Sequence, residues 1–85
     1  MNAHEIRERI EQEKTESHVK YGPFTSAHEG YGVLIEEVAE LLDAIRSNTD
    51  VVVQIEACQV AAVAWRIALS LTDENEATLK RSGMR

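Results

Sequence analysis

One segment that is apolar on nearly every side constrains the fold of this 85-residue chain more than any other. Residues 51–71 are rich in alanine, valine and isoleucine, and at about 100° per residue these side chains cover three faces of a helix. The length of about 20 residues and the alanines favour a helix, although the valine run 51–53 would also suit the start of a strand. A helix that is apolar all round must be surrounded by other elements. The sequence therefore predicts a central helix.

The N-terminal segment has the pattern of a weakly amphipathic helix. Asn2 can cap a helix over about residues 3–20, in which a few isoleucines form a thin apolar stripe among many charges. Gly22 and Pro23 end this helix, because proline cannot continue the hydrogen-bond ladder and disfavours helical geometry in the residue before it. We expect a first helix followed by a short loop.

The next segment has the strongest helical periodicity in the chain. Ser26 and Glu29 have the spacing of a capping box, in which the serine side chain accepts from the Glu29 amide and the glutamate reaches back to the cap. Apolar residues then recur at spacings of three and four. They are Tyr31, Leu34, Ile35, Val38, Leu41, Leu42 and Ile45. This pattern predicts an amphipathic helix over about 27–47.

The whole chain is predicted to be one all-α domain, residues 1–85. Turn and cap residues at 47–50 separate the second helix from the third, over 51–71, and a short C-terminal helix is expected over about 73–81. These elements are too few to surround the central helix. We therefore expect a helical bundle completed by homo-oligomerisation, as a dimer or a dimer of dimers.

Charge and composition narrow the classes of partner. The net charge is −6, with 15 acidic against 9 basic residues, so nucleic acid and anionic membranes would repel the chain. The single cysteine, Cys58, cannot form an internal disulfide, which fits a reduced compartment. The first ten residues lack the apolar core of a signal peptide, and no apolar run approaches about 18 residues. We expect a cytoplasmic protein with neither nucleic acid nor membrane as a partner.

Carboxylates are concentrated on the second helix, where Glu36, Glu37 and Glu40 lie within about one turn. Taken alone, they are consistent with an ordinary solvated stripe opposite the apolar face. Glu56 differs, because it is the one carboxylate in the apolar segment and needs a cation, a partner or a proton there.

An antiparallel hairpin of the second and third helices would bring Glu56 against this acidic edge. Glutamates that converge in a partly dry cleft are tolerable around a cation, and oxygen ligands suit Mg²⁺ or Mn²⁺ rather than zinc. The alternative for Glu56 is an ion pair, either with Arg66 of a second copy or with Lys20.

The motif EEVAE at 36–40, followed by Glu56-Ala57-Cys58-Gln59, resembles the EExxE and ExxD pair of the MazG-like all-α nucleoside triphosphate pyrophosphohydrolases. The stretches HVKYGPFTSAHEGYGVLIEEVAEL and EACQVAAVAWRIAL look like a small phage- and bacterium-associated branch of that family. The resemblance covers roughly His18 to Leu69. The chain departs from the pattern at Gln59, where the family motif ends in aspartate; an amide can ligate through its carbonyl oxygen but brings no negative charge.

The resemblance implies an enzyme that uses Mg²⁺, with Mn²⁺ as the other candidate, to cleave a (deoxy)nucleoside triphosphate into a monophosphate and pyrophosphate. It implies Glu37, Glu40, Glu56 and Gln59 as metal ligands. Glu36 and Glu40 would serve the catalytic step, Glu36 as a ligand or as the base for water. The main alternative is a non-catalytic, oligomeric helical interaction module whose metal site has decayed. A structural dimer that binds a protein through its acidic face is the third.

Four side chains around the loop before the acidic helix are candidates for binding the substrate. Tyr21 and Phe24 could stack on a base, while Lys20 and His28 could contact phosphate or sugar. Simpler roles are open to three of them, because Phe24 could plug the start of the helix, His28 could be a solvated residue of its first turn, and Tyr21 could be a core residue. Arg66 is a further candidate for a phosphate contact.

Overall fold

Three helices form the part of the chain that the computed structural model describes, residues 1–47 and 49–72. They are α1 (Ala3–Tyr21), α2 (Ala27–Ser47) and α3 (Asp50–Ser70). The described residues contain no strand, so the all-α prediction is confirmed, and each helix begins and ends within one residue of its predicted bounds. The short helix expected over 73–81 lies outside the described residues.

The apolar third helix occupies the centre of this arrangement. α3 packs against both α1 and α2, whereas among the described residues no Cα atom of α1 lies within 8 Å of one in α2. Most of the buried side chains belong to α3: Cys58, Ala62, Val63, Arg66 and Ser70. The other two helices thus flank α3 and leave a groove between them, with α3 as its floor.

Side-chain caps fix where the first two helices begin. The Asn2 side chain accepts from the Glu5 amide and the Glu5 carboxylate accepts from the Asn2 amide, both at 2.9 Å. Ser26 accepts from the Glu29 amide at 3.0 Å, as predicted. The Glu29 carboxylate, however, accepts from the amide and the hydroxyl of Thr25, at 3.1 and 2.9 Å. This half of the predicted capping box is wrong, because Thr25 offers two donors one residue before the cap.

The loop between α1 and α2 is held against the C-terminal half of α3. Gly22 ends α1 at φ 73°, a backbone conformation that residues other than glycine rarely adopt. The Phe24 amide donates to the Ser70 hydroxyl at 2.9 Å, and the Phe24 ring is only 5 % exposed. Gly30 allows α2 to approach closely, because a Cβ there would lie 2.6 Å from Ile67. These contacts fix the position of one end of the groove.

The apolar residues of α2 divide into two sets. Leu34 and Leu41 are half-buried, on the same side as the buried Gly30 and Ala44. Five others stay 43–59 % exposed and are spaced alternately by four and three residues: Tyr31, Ile35, Val38, Leu42 and Ile45. We call these five residues the α2 stripe. Whereas the sequence placed the uncovered apolar surface on the third helix, the structure places most of it on α2.

Length and composition make α3 the one helix among the described residues that could cross a membrane. The core helix of a soluble protein passes the same test, and α3 holds that position between α1 and α2. It also carries Glu56 and Arg66 among its apolar side chains.

Candidate metal site and the adjoining groove

Three carboxylates meet where α2 contacts α3. Glu37 and Glu40 lie one turn apart on α2, and Glu56 comes from α3. Glu40 and Glu56 are about equally far in sequence from the turn that joins the two helices, which places them opposite each other in the hairpin. One ligating oxygen from each of the three lies within 4.8 Å of the other two. Oxygens this close can share one cation of the Mg²⁺ or Mn²⁺ type.

The charges of this cluster are not neutralised by the described part of the chain. No lysine or arginine nitrogen among the described residues lies within 4.0 Å of Glu37, Glu40 or Glu56. Burial raises the pKa of Glu37, and the charge and hydrogen bond of Glu40 raise it further, followed by the charges of Glu56 and Glu13. Because Glu37 and Glu56 are half-buried while Glu40 is exposed, water screens the repulsion only in part.

Gln59 joins the cluster one turn after Glu56. With the amide assigned so that its nitrogen faces the carboxylates, it donates to Glu56 Oε2 at 3.1 Å and to Glu37 Oε2 at 3.2 Å. The amide therefore bridges α3 and α2 and offsets part of the repulsion between the two carboxylates. Turning the amide over would put its carbonyl oxygen in the same place, where it could ligate a cation.

The remaining predicted site residues lie around this cluster rather than in it. Glu36 is exposed and is not one of the three converging carboxylates, since it lies about 100° round α2 from Glu37. His28 is exposed in the first turn of α2, and Lys20 is exposed with its ammonium 5.2 Å from the Tyr21 ring. Phe24, in the loop between α1 and α2, is buried, and it also lines a cavity.

Two adjoining cavities make up the groove over α3. The first, of about 240 Å³, extends from Glu37 and Gln59 to Tyr21 and Arg66. The second, of about 330 Å³, is lined by Tyr21, Phe24 and Arg66 and lies under the loop between α1 and α2. Tyr21 is 67 % exposed and borders both cavities, so its ring is accessible for stacking. Glu37 and the predicted aromatic residues therefore line one groove.

The sequence alone did not reveal that Arg66 is buried at the far end of this groove. The side chain is 6 % exposed, and it lines both cavities. The available signal was its position, because Arg66 is the one cation within 51–71 and lies seven residues after Gln59. That spacing is about two helical turns, so the two residues share a face of α3 at a separation of about 10 Å along its axis.

Comparison with protein families, with curated proteins and with solved structures finds no match. A function for this chain is therefore inferred from its own residues and their geometry.

Proposed function

We propose that this chain is a Mg²⁺-dependent nucleoside triphosphate pyrophosphohydrolase of the MazG-like type. The observation that carries the proposal is the convergence of Glu37, Glu40 and Glu56 within 4.8 Å, without a neutralising cation among the described residues. Like charges held this close, with two of the three side chains half-buried, are costly unless a cation binds them.

The carboxylates of Glu37, Glu40 and Glu56 would hold the ion, with the Gln59 carbonyl as a fourth ligand. An ion held there would neutralise part of the triphosphate charge and lower the pKa of the attacking water. Attack of that water on the α-phosphorus would break its bond to the oxygen bridging to the β-phosphate, which would leave as pyrophosphate. Glu40 is the exposed member of the cluster and can accept a proton from water. Glu36, exposed beside it, is the second candidate for that role.

The rest of the groove suits a nucleoside. Tyr21 offers an exposed ring at the junction of the two cavities, and the buried Phe24 lines one of them. Lys20 lies against Tyr21 and can contact phosphate or sugar, whereas His28 does not line either of these two cavities. We propose that the base enters beside Tyr21 and that the phosphates point toward Glu37.

We also propose that the protein is a homodimer formed through the α2 stripe. Alternate spacings of four and three residues are typical of the seam between two packed helices. Large apolar side chains in a continuous row on one exposed helix face favour an interface. A second copy would cover this row with the same row of its own α2, as two-fold symmetry requires.

The second candidate function is a non-catalytic helical interaction module. Gln59 favours it, because an amide that already bridges Glu37 and Glu56 lowers the need for a cation. In that case the site would bind Mg²⁺ weakly or not at all, and the acidic edge of α2 would serve as a protein-binding surface.

Pyrophosphate release by the purified full-length chain tests these functions. A panel of canonical and modified ribo- and deoxyribonucleoside triphosphates is incubated with Mg²⁺, and one or more should yield monophosphate and pyrophosphate in equal amounts. Chelator should stop the reaction. Absence of turnover across the panel, together with no Mg²⁺-dependent change in Tm, would favour the interaction module.

A further inference from the structure

We propose that Arg66 forms a phosphoryl-binding subsite in the groove, at the end opposite the carboxylates. The identity of the ligand as a nucleotide rests on the proposed function, but the subsite itself needs no metal. The ligands that it binds are phosphate monoesters and inorganic phosphate.

Arg66 is a buried charge without a counter-ion in the described chain. It is 6 % exposed, and among the residues that the structure describes no carboxylate oxygen lies within 4.0 Å of it. Its Nη2 donates to the Gly22 carbonyl at 3.5 Å, and its guanidinium carbon lies 4.3 Å from the centre of the Phe24 ring. Its Nε has no hydrogen-bond partner among the residues that the structure describes. Most of the five N–H donors of the guanidinium are therefore without a partner among the described residues, although Nε itself is shielded from solvent.

The carboxylate of Glu29 does not neutralise this charge. Glu29 lines the same cavity, yet its carboxylate is exposed and accepts hydrogen bonds from the amide and hydroxyl of Thr25. Burial lowers the pKa of Arg66, and the charges of Tyr21 and Glu29 oppose that shift from a distance. A buried guanidinium in this situation is stabilised by an anion that enters the groove.

A second unpartnered nitrogen lies in the same electrostatic environment. His18 on α1 has a buried Nδ1 without a hydrogen-bond partner in the described ranges, 1–47 and 49–72. Burial lowers the pKa of His18, and the charges of Arg66 and then Lys14 lower it further. His18 is linked to this end of the groove through Gly22, whose amide donates to the His18 carbonyl at 2.8 Å and whose carbonyl accepts from Arg66. An anion bound at Arg66 would therefore change the electrostatic environment of His18.

The shape and position of the subsite favour a phosphoryl group. The planar fork of arginine matches phosphate oxygens in a bidentate manner, and the Phe24 ring holds the guanidinium plane in position. Arg66 and Glu37 line the same cavity of about 240 Å³, so one ligand can reach both ends. We infer that Arg66 contacts a phosphoryl oxygen of the bound nucleotide on the side away from the carboxylates.

The test uses full-length protein in chelator, so that failure of the metal-dependent chemistry cannot affect the result. Inorganic phosphate, a deoxynucleoside monophosphate and the matching nucleoside are titrated separately while the ring of His18 and the Nε–H of Arg66 are followed by NMR. Phosphate and the monophosphate should shift both signals to saturation. They should also raise the pKa of His18, because a bound anion offsets the charge of Arg66 that now lowers it.

Arg66→Met should abolish this binding, whereas the matched control Arg46→Met should bind like the wild type, since Arg46 is an exposed residue in the last turn of α2. Monophosphate binding roughly tenfold tighter than phosphate would identify the nucleotide as the ligand. Equal binding would assign the subsite to the phosphoryl group alone. The proposal is overturned if neither anion binds wild type to saturation, or if the pKa of His18 does not rise. The His18 measurement on wild type decides the matter even if Arg66→Met fails to fold.

Discussion

The two ends of the groove carry opposite charges that remain unpaired within the described chain. At one end Glu37, Glu40 and Glu56 converge within 4.8 Å and lack a cation. At the other end Arg66 is almost fully buried and lacks a carboxylate. Because a helix can bring a glutamate and an arginine side by side at a spacing of three or four residues, a chain selected only for stability could have paired them. The separation suits a ligand whose phosphoryl oxygens reach a cation held by the carboxylates at one end and Arg66 at the other.

Removal of a carboxylate at the acidic end should have the largest effect on activity. Glu40→Gln keeps the size of the side chain and removes one ligand charge and one proton acceptor. We expect pyrophosphate release to fall by a factor on the order of 10²–10⁴. The matched control is Glu11→Gln, an exposed acid on α1, which should turn over like the wild type. Comparable rates for both variants would contradict the assignment of the acidic end.

A charge placed in the α2 stripe should separate the two copies. Leu42→Lys puts an ammonium into the proposed seam, and we expect a dimer in wild type and a monomer in the variant, measured by sedimentation. The control Val19→Lys changes an apolar side chain that is 81 % exposed on α1, and it should leave the dimer intact. If wild type is a monomer at micromolar concentration, the proposed dimer is wrong. Both ends of the groove would then function within one chain.

The basic end should respond differently from the acidic end. Arg66→Met removes a charge that contacts the substrate but not the metal, so we expect KM to rise by roughly 10- to 100-fold, as for a charged hydrogen bond, with a smaller change in kcat. The variant should also be as stable as the wild type or more so, because it removes an unpaired buried charge. A fall in kcat with unchanged KM would place Arg66 in the chemical step instead.

The smallest effect should be a pH dependence of stability at the acidic end. The pKa of Glu37 is raised, so the folded state holds this proton more tightly than the unfolded state does. Without metal, stability should therefore fall as pH rises from the ordinary carboxyl pKa of about 4.3 through the raised value. Glu37→Gln should raise the free energy of unfolding at pH 7 by on the order of 0.5 kcal/mol, with no gain at pH 3. Denaturant titrations at the two pH values measure this difference.

Much of the fold could be predicted because its signals are local. The bounds of α1 and α2 follow from caps at Asn2 and Ser26 and from the break at Pro23. Which apolar residues of α2 become buried could not be predicted, because Leu34 and Ile35 belong to the same broad apolar face of the predicted helix. Packing against α3 then half-buries Leu34 and leaves Ile35 exposed.

Part of the candidate site could also be predicted from the sequence, and part could not. The approach of Glu40 to Glu56 could be predicted, because the two residues are about equally far in sequence from the turn between α2 and α3. Adjacent glutamates on a helix point about 100° apart, so only one of Glu36 and Glu37 can face α3, and the sequence does not say which. The burial of Arg66 depends on the Phe24 loop folding over it, which is a tertiary effect.

Binding of Mg²⁺ to the metal-free protein tests the central claim most directly. Tm is measured across a Mg²⁺ titration for wild type, for Glu56→Gln and for the Glu11→Gln control. Wild type and the control should gain stability with concentration, by about 2.7 kcal/mol at one hundred times the dissociation constant. Glu56→Gln should start from an equal or higher Tm and respond little to Mg²⁺. A wild-type Tm that is indifferent to Mg²⁺ and Mn²⁺, or an equal rise in Glu56→Gln, would contradict a shared cation between α2 and α3.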